Sequence, residues 1–96
     1  MVYAVCMSHT IEKKSKLLAR VRRIRGQVEA VERALEREIG CTDVLQLVAS
    51  VRGAVNGLTA ELIEDHIKTH ILGASNATER TRGADELLDV VRTYMK

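Results

Sequence analysis

The chain has no proline, phenylalanine or tryptophan, and among its 96 residues there are only two tyrosines, two cysteines and six glycines. Without proline, nothing in the sequence forces a helix to break. Few glycines and many Glu, Arg, Leu and Ala residues predict an all-α chain, and nothing argues for a strand. Cys6 and Cys41 are too few for a disulfide framework, so an isolated cysteine here is a candidate ligand or nucleophile in a reducing compartment. No apolar run approaches the 18 or so residues of a membrane span, and Met1–Cys6 lacks the length and basic start of a secretory signal. A soluble, cytoplasmic protein is expected. No paired acid and base and no phosphate loop stand out, so an enzyme is not expected.

What is present is a set of long amphipathic patterns. A first helix is expected from an N-cap at Thr10 to about Ile39, ending at Gly40. Its apolar positions Leu17, Val21, Ile24, Val28, Val31 and Leu35 alternate spacings of four and three, a heptad seam. Gly26 interrupts the helix at a cost of about 1 kcal/mol relative to alanine, which suggests close approach by a neighbouring backbone. A second helix is expected to follow an N-cap at Thr42 and to run unbroken to about residue 72. Val44, Val48, Val51, Val55, Leu58 and Leu62 repeat the alternation, and Gly53, Ala54, Asn56 and Gly57 keep its middle slim for a close crossing. A helix this apolar needs more cover than one partner gives. The expected architecture is a three-helix protomer whose antiparallel hairpin pairs with a second copy as a four-helix-bundle dimer. Gly73 ends the second helix, Ala74–Arg82 is expected as a polar connector, and Ala84–Lys96 as a short third helix. Residues 9–96 form a single domain in this reading, preceded by an N-terminal segment, residues 1–8.

His66 and His70 are i,i+4 neighbours continuing the row Leu58–Leu62, so they can face one atom. The residues between them lack the glutamate of a zinc-protease motif, and a pair of partly buried, hydrogen-bonded histidines is the plainer alternative. Cys41 occupies a helix N-terminus, where the helix dipole favours a thiolate. A thiolate with imidazoles suits nickel, cobalt, zinc or copper. His66 lies 25 positions beyond Cys41, roughly 37 Å along an α-helix. A site shared by the three must therefore take its cysteine from an antiparallel second chain. His9, just before the first helix, falls at the same end of the hairpin as His66 and His70.

Net charge is only +2, but residues 12–25 hold Lys13, Lys14, Lys16, Arg20, Arg22, Arg23 and Arg25 against Glu12. That segment is +6, and the remainder is −4. Lys13, Lys16, Arg20 and Arg23 recur at three- and four-residue spacing as a stripe, widened by Arg22 and Arg25. A solvated charged face is the plain alternative; arginine richness favours phosphate contacts with double-stranded DNA. The lack of nearby aromatics argues against single strands.

These residues together resemble the CsoR/RcnR family of bacterial metal- and formaldehyde-sensing repressors. The resemblance covers Met7 to Lys96 and is carried by Arg22-Arg23-Ile24-Arg25-Gly26-Gln27-Val28, by Val51-Arg52-Gly53-Ala54-Val55-Asn56-Gly57-Leu58, and by the Cys41…His66…His70 spacing. The start Met7-Ser8-His9-Thr10-Ile11 and the set His9, Cys41, His66 and His70 look like the nickel/cobalt branch. The resemblance implies a homotetramer, a dimer of dimers, that is bound to operator DNA when metal-free and released by Ni(II) or Co(II), with Zn(II) as a further candidate. It implies control of a metal efflux gene, and it places Arg20, Arg23, Arg25 and Arg52 among DNA-binding positions. Two alternatives are a formaldehyde or electrophile sensor using Cys41, and a helical interaction module that binds no DNA. Met1–Cys6 stands ahead of the family pattern, as an extension or an upstream start assignment; as an extension it displaces an amine that can serve as a ligand in the nickel/cobalt branch.

Overall fold

The computed structural model describes residues 11–94. Their order is α1 (Ile11–Glu36), α2 (Cys41–His66), a π-helical segment (Ile67–Leu72) and α3 (Ala77–Tyr94). They form two compact units, Ile11–Thr59 and the residues from Ala60 onward, with α2 running from the first into the second. The all-helical expectation holds: there is no strand among the described residues.

α1 stops at Glu36, three residues before the expected end near Ile39. The Glu38 N–H donates to the Leu35 carbonyl (3.2 Å) and the Ile39 N–H to the Ala34 carbonyl (3.2 Å). This is a Schellman closure, and the residue in its left-handed position is Glu38, at φ 57°. Gly40, expected to end α1, instead starts α2. Its carbonyl accepts from Asp43 (3.0 Å) and Val44 (3.2 Å), so Cys41, not a residue after Thr42, opens the helix.

The two heptad seams are each split. On α1, Leu17 is buried and Ile24 and Val31 are half-buried, whereas Val21, Val28 and Leu35 are 46–60 % exposed. On α2, Val44, Val51 and Leu58 are half-buried, whereas Val48, Val55 and Leu62 are 39–46 % exposed. Each helix therefore carries two apolar columns, and the chain covers only one of them. Inside the first unit the hairpin is antiparallel and in step. Gln27 Nε2 donates to Ser50 Oγ at 3.2 Å, and seven residues back along α1 the Arg20 guanidinium lies over Gly57, seven residues on along α2. Beyond its own helix, no atom of the described residues lies within 4 Å of where a Cβ on Gly26 would stand, so the backbone approach expected there is not made among them.

The second unit departs further from expectation. After His66 the expected single α-helix widens to i→i+5 bonding through Ile67–Leu72. α3 then begins at Ala77, seven residues before the expected Ala84. The cause is an N-cap: Asn76 Oδ1 accepts the Glu79 N–H at 2.9 Å, and the Asn76 carbonyl accepts the Arg80 N–H at 3.0 Å. Arg82 pairs with Glu79 at 3.7 Å on the exposed face of the added turns. This earlier start brings α3 against the π segment.

Candidate metal centre and basic face

His66 is the last residue of α2 and is buried, 7 % exposed. Its ring Nε2 lies 2.8 Å from the carbonyl oxygen of Gly83 in α3. A carbonyl only accepts, so Nε2 carries the proton and donates. In the Nε2–H tautomer of an imidazole the lone pair is on Nδ1. A histidine that donates through one nitrogen to a carbonyl and offers the other is the usual arrangement of a metal-ligating imidazole.

His70 sits in the π segment, half-buried. Its ring centroid is 4.9 Å from that of His66, with the planes tilted by 40°. Two imidazoles on one ion at nitrogen–metal distances of about 2.0–2.1 Å have centroids roughly 4.5–5.2 Å apart, so the pair fits a shared ion. The backbone that carries His70 is fixed by α3. Gly83 is buried, and a Cβ there would run into the His70 carbonyl oxygen and come within 2.8 Å of its carbon. On the outer side of the segment Lys68 bonds Glu64 at 2.8 Å, which holds the Lys68 ammonium above the usual lysine range; both side chains are exposed.

Cys41 is exposed as the first residue of α2, 25 positions before His66 on the same helix. No group of three or more metal-binding side chains is gathered among the described residues. Among the described residues, two of the expected ligands, His66 and His70, come together. His9 lies outside the described residues.

Of the basic positions, Lys16, Arg20, Arg23 and Arg25 are exposed on α1, Lys13 is half-buried there, and Arg52 is exposed on α2. Arg25 is partly neutralised by Glu29 one turn on, at 4.0 Å. Arg20 lies against α2, its Nη1 3.0 Å from where a Cβ on Gly57 would be.

Sequence reasoning passed over Gly83, which touches both histidines. Its signal was the Asn76-x-x-Glu79 cap, which puts Gly83 inside a helix, where a glycine indicates close approach.

The sequence profile of metal-sensitive transcriptional repressors matches residues 13–93. A protein from Serratia marcescens, described as an uncharacterized protein in the bioA 5′ region, is 55 % identical over 92 residues, covering 94 % of this chain and all of the relative. The transcriptional repressor RcnR of Salmonella paratyphi B is 44 % identical over 90 residues, covering 94 % of this chain and all of that protein. A glutamate-to-histidine variant of the formaldehyde-responsive regulator FrmR from Salmonella enterica serovar Typhimurium has a similar structure. Its TM-score is 0.81 at 47 % identity, over 90 % of this chain and 98 % of the other.

Proposed function

The chain belongs to the CsoR/RcnR family of metal-sensitive transcriptional repressors, not enzymes, and from that premise we propose that it is a nickel- or cobalt-responsive repressor of a metal efflux gene. The observation that carries the choice of effector is the His66–His70 pair, its ring centroids 4.9 Å apart and His66 bonded through Nε2. His66 and His70 of one chain, Cys41 of a second and His9 make the ligand set; a divalent ion bound there supplies a cross-link between chains. Two or three imidazoles with one thiolate favour Ni(II), Co(II) or Zn(II) over the softer Cu(I).

Lys13, Lys16, Arg20, Arg23, Arg25 and Arg52 contact operator phosphates in the metal-free tetramer. His9 leads directly into α1, so drawing it toward the histidine pair shifts the start of the helix that bears the stripe. Release requires that the ion bind the DNA-incompetent arrangement more tightly; by linkage, DNA weakens ion binding by the same factor.

The test is to titrate Ni(II), Co(II), Zn(II) and Cu(I) into DNA-bound protein, with and without residues 1–6, reading release by fluorescence anisotropy. Ni(II) or Co(II) is expected to release the DNA, and His9→Ala to bind the ion yet release poorly. Cys41→Ala and His66→Ala homomers are each expected to lose the site, and a mixture of the two to recover part of it. No recovery on mixing would sink the cross-chain site.

The exposure of Cys41 and the likeness to a formaldehyde-responsive regulator favour one second reading, an electrophile sensor with Cys41 as nucleophile. Release by formaldehyde, with none by nickel or cobalt, would establish it in place of the first.

A further inference from the structure

Gly83 meets both histidines, and it does so with two different atoms. Its carbonyl oxygen receives the His66 Nε2–H at 2.8 Å in a buried contact. Its bare Cα lets α3 settle on the His70 backbone, where any Cβ would collide with the His70 carbonyl and approach the His70 Cβ to 3.1 Å. Backbone atoms, unlike the end of a flexible side chain, cannot swing aside to make room. The carbonyl is well placed to take a second hydrogen bond, since a backbone oxygen has two lone pairs and helical bonding uses one.

We propose that Gly83 is the positioning residue of the histidine pair. Its carbonyl selects the His66 tautomer that leaves Nδ1 free, and its missing side chain sets the depth at which His70 stands beside it. This rests on the metal-binding reading above only for its consequence; the tautomer is a property of the metal-free protein. An unheld imidazole divides its proton between two nitrogens and turns about χ2, so an ion must select one orientation from several. A held ring presents Nδ1 in advance. The rest of α3 contributes by keeping Gly83 in place, and its N-cap Asn76 is seven residues away.

Two measurements on the full chain test this. In ¹⁵N-labelled metal-free protein, long-range ¹H–¹⁵N spectra are expected to show His66 as the single Nε2–H tautomer. A ring protonated on Nδ1, or an even mixture of both forms, overturns the proposal whatever the protein binds. In Gly83→Ala the single tautomer is expected to be lost and Co(II) affinity, read from its absorption bands, to fall 10- to 100-fold. Ala84→Gly loosens the same turn of α3 with Gly83 left in place and is expected to bind Co(II) as the wild type does. Equal losses in the two variants, or wild-type affinity in a folded Gly83→Ala, overturn the proposal. Should Gly83→Ala fail to fold, the wild-type tautomer decides. If the wild type itself takes up no Co(II), the metal reading fails, and the tautomer still decides whether Gly83 holds the ring.

Discussion

Glu38 holds the left-handed position of the α1 closure, at φ 57°, where glycine is the usual occupant. An L-residue with a Cβ pays roughly 1–2 kcal/mol for that conformation, and glycine's greater loss of freedom on folding returns about 0.5–1. Glu38→Gly is therefore expected to raise stability by about 0.5–1 kcal/mol, seen as a higher urea midpoint at unchanged m-value. A lower midpoint would mean that the exposed glutamate makes a compensating interaction. The sequence pointed to the wrong glycine here. Gly40 looked like the helix terminator because glycine usually is one, yet its carbonyl caps the next helix. Residue type gave the turn correctly and the roles within it incorrectly, since both roles favour the same kind of residue.

At the scale of elements, α1 and α2 were legible because twenty-six residues each leave room for several turns of periodicity. What periodicity did not reveal is that each four–three pattern is two interleaved columns, one facing in and one facing out. The start of α3 was hidden by composition. Ser75, Asn76, Thr78 and Thr81 suggest a connector, but Asn76 is a cap, and a single cap outweighs several modest propensities. Asn76→Ala is expected to cost about 1 kcal/mol and to free the first turn of α3. Amide exchange at Glu79 and Arg80 should quicken before that at Leu87 and Leu88. Uniform acceleration along α3 would argue that the cap is not its local anchor. The π segment left no periodic trace, because one extra residue per hydrogen-bonded ring shifts a six-residue stretch too little to register in a heptad. The closeness of His66 and His70 was legible from their spacing; their shared neighbour was not, because nothing in a sequence says which helix lies across which.

For the whole molecule, the two outward columns matter most. Val21, Val28 and Leu35 on α1, with Val48, Val55 and Leu62 on α2, are too regular and too apolar to face water as isolated exceptions. Oligomerisation is what the family implies, and these columns are the surface that a second copy would bury. Val28→Lys with Val55→Lys is expected to shift the protein from oligomer toward monomer in sedimentation equilibrium, with a drop in thermal stability, since folding and association then share one hydrophobic surface. An unchanged mass would show that assembly uses another face. No helix among the described residues is long and apolar enough to cross a membrane.

A π turn is an α-helix carrying one surplus residue, and Ile67–Leu72 therefore holds the only place in α2 and its extension where a codon could be lost and the helix heal. Such a deletion would leave a continuous, well-bonded rod. Because the π turn absorbs the surplus residue, the helices on either side would keep their register, and what would change is the step along the helix from His66 to His70. A single-residue deletion at this point is therefore expected to keep the helical fold while disturbing the histidine pair.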